Sequence, residues 1–411
     1  MRFTLARFKP NPTPLYPPLT AWNFPLRGSK IYVACSAGID SSVTARLLLE
    51  RDYDVRPVFM RNWDALDENS QHSGGCEWEK DWEQVQVLCK ESLGGVEPTL
   101  VDLSKQYWNE VFERSLGEWE RGVTPNPDVV CNQEIKFRTL PSILFDKDPN
   151  AYLATGHYAR LSPSSLDPLE PALHRGAYPL KDQSYYLSTS PVSALKRTLF
   201  PLGEYRKDEV KEMARIWGLP DKITERKESM GICFVGKKGK RFRHWLDAYL
   251  PPKPGHIVLT SGKIVGQHQG LWQYTIGEGA RLPGLPSRHF IGRKDRKNNE
   301  IVVVPEDSPI LRVVKLFTKD FKWLSSHHPP SEINSAEGFK VDAQTRSLQE
   351  RSLARSVVRR AGDYSLEIEL NEPLIGVSPG QAVVLYNGTW CLGGGTIEST
   401  TTLADLPQSS N

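Results

Sequence analysis

A doubly wound, parallel α/β sheet followed by a smaller, mostly β part is the fold class predicted by this sequence of 411 residues. Three observations predict it. Strand-like and helix-like runs alternate from Lys30 to Trp217, the mark of parallel β-α-β units. A turn of small residues, Ser36-Ala37-Gly38-Ile39-Asp40-Ser41-Ser42, stands where the first strand gives way to the first helix. Beyond about residue 236 helical periodicity fades, and short β-rich runs separated by Gly and Pro replace it.

In order, the apolar run Ile31 to Cys35 is expected as the first strand, and Ser41 to Arg51 as a helix with Val43 and Leu47 on one face. Val55 to Met60 reads as a second strand, followed by an acidic, Gly-containing loop around Ser73 to Cys76. Trp82, Val85 and Cys89 recur at helical spacing, and Thr99 to Leu103 reads as a strand. Ser104 is expected to cap a long helix whose buried face carries Trp108, Val111, Phe112, Ser115 and Trp119. Ala151 to Thr155 is a further strand that runs into Gly156-His157-Tyr158. The helix Arg206 to Trp217 places Val210, Met213, Ala214 and Trp217 on one side, with Gly218 as its stop signal. The later β-rich runs are Ile301 to Val304, Arg312 to Phe317, Phe339 to Ala343, Ser365 to Leu370 and Ala382 to Tyr386, which argue for a small barrel or sandwich. The Ser/Thr-rich tail after Glu398 is expected to be disordered.

Composition excludes several classes. A net charge of +3 rules out a generally polybasic protein. The distribution is uneven, however. Asp64 to Glu120 holds fourteen acidic and four basic residues, a local −10, so the rest of the chain carries +13 and invites a polyanionic partner. Mean hydropathy is −0.45, and no stretch approaches the ~18 uninterrupted apolar residues of a membrane span. The six cysteines (Cys35, Cys76, Cys89, Cys131, Cys233, Cys391) form no C-x-x-C pair, which argues against a zinc site and for a reducing compartment. Residues 1–39 contain no Asp or Glu but do contain Arg2, Arg7, Lys9, Arg27 and Lys30, the bias of an organelle transit peptide. Pro10, Pro12, Pro14, Pro17 and Pro18 forbid a helix beyond about Lys9. Mitochondrial import is therefore expected, with the cytoplasm as the alternative.

Three motifs carry chemistry. The loop from Ala34 and Cys35 through Ser36, Ala37, Gly38, Ile39, Asp40 and Ser41 offers backbone N–H groups, hydroxyls and a helix N-terminus to a phosphate. It lacks the Lys of a kinase-type loop. In Thr124-Pro125-Asn126-Pro127-Asp128-Val129-Val130-Cys131-Asn132 two prolines fix the loop. If Asp128 starts a helix, Cys131 sits one turn in, where the dipole favours thiolate, and Asn126 can present a donor and an acceptor to a planar heterocycle. An ordinary capping Asp and a buried structural Cys is the other reading. The third motif, Ser229-Met230-Gly231-Ile232-Cys233-Phe234, precedes the cationic run Lys237 to Arg243, a field that stabilises thiolate and attracts phosphates; a solvated charged face is the alternative.

Eight ordered motifs, from about Lys30 to Ile397, resemble the tRNA-specific 2-thiouridylases. They are the SAGIDSS loop, Phe59-Met60-x-Asn62-Trp63, Thr124 to Asp128 with Cys131, Ala154-Thr155-Gly156-His157-Tyr158, Lys181-Asp182-Gln183-Ser184-Tyr185, Gly231-Ile232-Cys233-Phe234, His268-Gln269-Gly270-Leu271, and Pro379-Gly380-Gln381 with Cys391 to Gly395. The resemblance implies a PP-loop ATP pyrophosphatase-type sheet (adenine nucleotide alpha hydrolase-like), a small central domain and a C-terminal β-barrel, acting on the wobble uridine of tRNA. It implies that Ala34 to Ser41, Met60 and Gly156 hold ATP, with Mg²⁺ accompanying it. Asn126, Pro127 and Asp128 would meet the target base, and His157, Lys181, Asp182, Gln183, Arg346, Ser347 and Gln381 would lie on the tRNA side. Cys233 would carry persulfide sulfur delivered by a donor protein or relay, with Cys131 as its thiol partner and a disulfide between them after turnover. Implied boundaries are 1–29 for the extension, 30–235 for the ATP-binding unit, 236–309 for the central one, 310–399 for the barrel and 400–411 for the tail.

The chain departs from that pattern in three places. Ala37 stands where the family has a second Gly, which brings a Cβ toward the phosphates; Gly277-Glu278-Gly279-Ala280-Arg281 has fewer cations than usual; and Ser347 replaces an aromatic. Two alternatives differ in class. One is a PP-loop ligase that amidates a small molecule and needs no paired cysteines, and the other is a non-catalytic tRNA-binding protein.

Overall fold

The structure is a computed structural model that describes residues 25–63, 78–226, 246–349, 354–362 and 364–407. The leader to residue 24, the loop with Cys76, the Cys233 motif with its cationic run, and the last four residues lie outside the described residues. Five parallel strands form the first sheet. They are β1 (Lys30–Ala34), β2 (Asp54–Arg61), β3 (Thr99–Asp102), β4 (Tyr152–Ala154) and, after the hairpin strands β5 (Ala159–Pro163) and β6 (Pro171–Arg175), the short β7 (Thr198–Leu199). Their order is β3-β2-β1-β4-β7. Ile31 and Val33 on β1 and Val58 on β2 are fully buried, so the central strands are covered on both faces.

Helix α1 (Ile39–Leu49) begins two residues before the expected Ser41 and is buried along most of its length. That burial brings Ser42 and Thr44 inside, where their hydroxyls donate to the carbonyls of Gly38 and Asp40 one turn back. The helix at 104–120 begins at Ser104 itself, one residue before the expected start, with Leu103 at the cap position, and the Asp102 carboxylate accepts from both the backbone N–H and the hydroxyl of Ser104. Val111, Phe112, Ser115 and Trp119 are buried as the periodicity predicts. Trp108 is 38% exposed, because a π-helical stretch, Trp108–Glu113, shifts the phase of that turn.

After residue 246 two β units follow. The smaller has β8 (Gly255–Val258), β9 (Ile264–His268), β10 (His289–Asp295) and β11 (Glu300–Pro305) in the order β10-β11-β8-β9. The run Ile301 to Val304, expected among the C-terminal strands, belongs to this sheet. The larger has β12 (Arg312–Trp323), β13 (Phe339–Gln344), β14 (Ala354–Arg360), β15 (Leu366–Ile375), β16 (Ala382–Asn387) and β17 (Trp390–Thr402). Pairing of β12 with both β15 and β17 closes these six antiparallel strands into a barrel. Closure removes the exposed edges that an open sheet would carry. Among the described residues no helix is long and apolar enough to cross a membrane.

The hairpin β5–β6 leaves the first unit and adds itself to the barrel, β6 pairing with β17 through Trp390 and Cys391. A buried polar cluster fastens this joint. Arg175, at the end of β6, donates to Asp182 Oδ2 at 3.0 Å and to Gln344 Oε1 of β13 at 2.8 Å. Its guanidinium lies 3.5 Å from the ring centroid of Tyr386 on β16. Asp182 Oδ1 accepts from the N–H groups of Gly176 and Ser184 at 3.0 Å. Removing one member of such a pair leaves the other charge buried and uncompensated, a loss of about 3–5 kcal/mol. Asp182→Ala is therefore expected to lower the melting temperature by at least about 6 °C, and the double variant Arg175→Met with Asp182→Leu by less. Equal losses in calorimetry would show that charge does not govern the joint.

Candidate active site

The phosphate-type loop lies at the carboxyl end of β1, between β2 and β4, where the strand order reverses. In open α/β sheets that crevice is where ligands bind. The loop is curled around Ser41, whose hydroxyl accepts from the Ser36 N–H at 3.1 Å and donates to the Gly38 carbonyl at 3.0 Å. Ser36 is exposed at the mouth. Ala37 differs from expectation. Its methyl is fully buried and packs in the core layer with Val33 and Val43, and the unusual feature is its backbone, with φ at 56° in the left-handed region. The absent Gly thus shows in the backbone, at about 1–2 kcal/mol. Gly156, after β4, presses on the start of α1: a Cβ there would meet Asp40 C and Ser41 N at 2.9 Å. Met60, at the end of β2, is half-buried against the core.

Asp40 has partners that the motif did not disclose. Lys207 Nζ donates to its two carboxylate oxygens at 2.7 and 2.8 Å, and the Tyr158 hydroxyl to Oδ1 at 2.8 Å. Lys207 is buried at the first position of the helix Lys207–Ile216. A cation there opposes the helix dipole, and that conflict is the sequence signal that could have found it.

The second cluster forms at the head of the helix 127–147. Asn126, and not Asp128, is the cap: its side chain accepts from Val129 N–H at 3.3 Å, with Pro127 in the first turn. Asn126 Nδ2 donates to Gln381 Oε1 at 3.3 Å, and the side chain also bonds the buried Tyr185 hydroxyl. Most of its donor capacity is therefore already engaged. Burial pushes the Asp128 carboxyl up, and Lys136, two turns along, pulls it back in part. Cys131 is buried at the start of a π-helical stretch, Cys131–Thr139. Unwinding of this kind is frequent at functional sites. His157 Nδ1 lies 2.8 Å from the Thr155 hydroxyl, and the ring packs beside Phe137 and Phe200. Burial, with Lys136 nearby, holds its pKa well below the usual value, so the imidazole is neutral at neutral pH.

The residues expected on the RNA side divide in two. Arg346 is exposed, while Lys181 and Ser347 are half-exposed, with Ser347 bonded to the Tyr186 hydroxyl. The others bond within the protein, Asp182 buried and the two glutamines half-exposed. Asp182 is buried in the Arg175 cluster, Gln183 Oε1 accepts from the Tyr158 N–H at 2.9 Å, and Gln381 Nε2 donates to the Thr124 and Pro125 carbonyls at 2.9 and 3.0 Å. Lys294 of β10 reaches the same loop, donating to the Gly122 carbonyl at 3.1 Å and the Thr124 hydroxyl at 3.3 Å. Cys233 lies outside the described residues.

Three family descriptions match the chain in sequence: a tRNA methyl transferase HUP domain over residues 29–237, a tRNA methyl transferase PRC-barrel domain over 243–305, and an aminomethyltransferase beta-barrel domain over 313–397. The tRNA-specific 2-thiouridylase MnmA of Staphylococcus aureus (strain JH9) is 37% identical over 372 residues, 90% of this chain and 95% of the relative. Among solved structures, a 4-thiouridine synthetase–RNA complex with bound ATP is 20% identical, covering 51% of this chain and 46% of its own, with a TM-score of 0.32. The NMN synthetase of Francisella tularensis is 14% identical, covering 52% and 69%, with a TM-score of 0.31.

Two predictions rest on these geometries. Gly156→Ala is expected to cost about 1–3 kcal/mol because backbone must yield to the new Cβ. Ala37→Gly should stay within about 1 kcal/mol of the parent, since relief of the left-handed residue offsets the lost methyl burial. Thermal melting compares them, and an Ala37→Gly loss as large as that of Gly156→Ala would refute the assignment. Lys294 is the second case, because burial lowers its pKa from 10.5 to about 8. Between those values the unfolded chain binds the extra proton, so stability gained from this residue grows as pH rises through about 8. The melting temperature of the parent relative to Lys294→Met should rise from pH 7 to 9.5; a flat difference would count against it.

Proposed function

The chain belongs to the tRNA-specific 2-thiouridylase family, and from that premise we propose that it converts the wobble uridine of tRNA to 2-thiouridine at the expense of ATP. The observation that carries the reading is the pairing of two sites in one unit. An anion-ready helix N-terminus stands at the switch point of the parallel sheet, and a proline-braced loop places Asn126, Asp128 and Cys131 on one helix head.

The uracil C2 oxygen leaves poorly as oxide and must first be activated. Its attack on the α-phosphorus of ATP would form an O-adenylated base and release pyrophosphate. Ser36, Gly38 and Ser41 would hold the phosphates by N–H and hydroxyl donors. Magnesium, arriving with the triphosphate, would supply charge neutralisation. Persulfide sulfur on Cys233 would then reach C2 by one of two routes. Either its outer sulfur adds at C2, AMP leaves, and the Cys131 thiolate attacks Cys233 Sγ to release the thiolated base, or the Cys131 thiolate first attacks Cys233 Sγ and the freed sulfide adds at C2 with loss of AMP. Both routes form a Cys131–Cys233 disulfide that an external reductant must open. Asp128, whose carboxyl is raised by burial, is the group at this helix head that would move a proton during these steps. The exposed Arg346 and the half-exposed Lys181 are where RNA phosphates would meet the protein.

The test is incubation with ATP, a persulfide source and unmodified tRNA, followed by mass spectrometry of the nucleosides. The expected product is 2-thiouridine, with Cys131→Ser and Cys233→Ser each lowering its rate at least about 100-fold. No thiolated product from the parent enzyme would overturn the reading. Full activity in both cysteine variants would point instead to ligation of a small molecule.

A further inference from the structure

We propose that the central unit, which holds β8 to β11, takes part in the chemistry, with Lys294 as a positioning residue for the loop that leads to Asn126, Asp128 and Cys131. The inference rests on the thiolation reading and deepens it. Gly122 closes the helix at 104–120. Its φ is +72°, its N–H donates to the Trp119 carbonyl at 2.7 Å, and the Val123 N–H returns to the Glu118 carbonyl at 2.9 Å. Residues 123–126 then cross to the next helix without regular structure. Two side chains of the central unit meet the chain at this exit. A Cβ on Gly122 would lie 3.0 Å from Leu271 Cβ. Lys294 Nζ, from β10, donates to the Gly122 carbonyl at 3.1 Å and to the Thr124 hydroxyl at 3.3 Å, and so brackets Val123.

These bonds matter because packing beside them is incomplete. A cleft of about 360 Å³ opens here, with Gly122, Val123, Lys294, Ser378 and Pro379 among its lining residues. Backbone that borders open space lacks van der Waals partners on that side, so hydrogen bonds have to set its place. Lys294 is also a poor choice for stability. Burial pushes its pKa from 10.5 down to about 8; Glu278 offsets part of that effect and Arg296 adds to it. A methionine would fill similar space with no charge to desolvate. A residue that costs stability where it sits is accounted for by what it holds. Lys294 holds the stretch that runs, two residues on, into Asn126, the cap of the helix bearing Asp128 and Cys131. Displacing a catalytic group by an ångström costs on the order of 100-fold in rate.

The experiment compares the parent with Lys294→Met and with Lys294→Gln, so that misfolding of one variant leaves the comparison to the other. Hydrogen exchange of the amides from Gly122 to Cys131 is followed beside tRNA affinity at several salt concentrations and single-turnover thiolation at saturating ATP and tRNA. Expected are faster exchange in this stretch, a rate lower by about 10- to 100-fold, and a tRNA Kd within about twofold of the parent at every salt concentration. Loop exchange equal to the parent's would overturn the proposal whatever the rate does. If, in addition, the tRNA Kd rises about tenfold and its slope against log salt falls by about one, the ammonium belongs to an RNA phosphate instead. Faster exchange with an unchanged rate would overturn it too, since the loop's place would then not matter to the chemistry. Exchange needs no turnover. A parent enzyme that fails to thiolate would therefore sink the functional reading, while the exchange comparison would still report whether Lys294 holds the loop.

Discussion

Arg175 carries a full positive charge in a place with almost no access to water, and much of the architecture follows from how that charge is met. A single guanidinium binds Asp182 of the first unit, Gln344 of β13 and the face of Tyr386 on β16. No one of these partners would repay its desolvation, and the set does so only when hairpin, loop and barrel are all in place. Asp182 in turn holds the N–H groups of Gly176 and Ser184, which fixes the turn leading to Tyr185. The Tyr185 hydroxyl then reaches the Ala382 carbonyl beside Gln381. The barrel is therefore built into the active site instead of being appended to it.

This arrangement separates two tasks. The sheet and α1 place the loop 36–41 and a helix N-terminus at the reversal of strand order, where doubly wound folds bind ligands. The loop before residue 127 has no regular structure to orient it, and three outside groups do so: Gln381, Lys294 and the Pro379 carbonyl. Burial sets the state of two groups near this helix, raising the Asp128 carboxyl and keeping His157 neutral; Lys136 offsets part of the first effect and adds to the second.

The first sheet was legible in the sequence because its strands are short apolar runs and its helices keep their phase outside the π-helical stretches Trp108–Glu113 and Cys131–Thr139. Expected and observed limits differ by one or two residues at β1, α1, β2 and β4. What escaped is long-range. The hairpin β5–β6 is rich in Ser and Pro and is stabilised by pairing with a strand more than 200 residues away, His174 opposite Trp390. β17 contains Gly393-Gly394-Gly395, which reads as a turn; there the absent side chains make room for the carbonyl of Lys322, the Ser188 hydroxyl and Phe321. At the site the motif residues were visible but their partners were not. Lys207 meets Asp40 from 167 residues away, and Gln183 and Gln381 each also hold a backbone group of the protein. A motif names a residue without saying which way it faces.

The attachment of β6 to β17 also sets an order of events during synthesis. β6 emerges from the ribosome with only β5 beside it, and its other edge has to wait for a partner 215 residues further along. At translation rates of about 5–20 residues per second that wait lasts roughly 10–40 s. For that interval the nascent chain carries an open edge, together with a buried-type Arg175 that has yet to meet Gln344 and Tyr386. Such an edge is a template for pairing with another chain. The joint that ties the hairpin to the barrel in the finished enzyme is thus unavailable to β6 until β17 has been made.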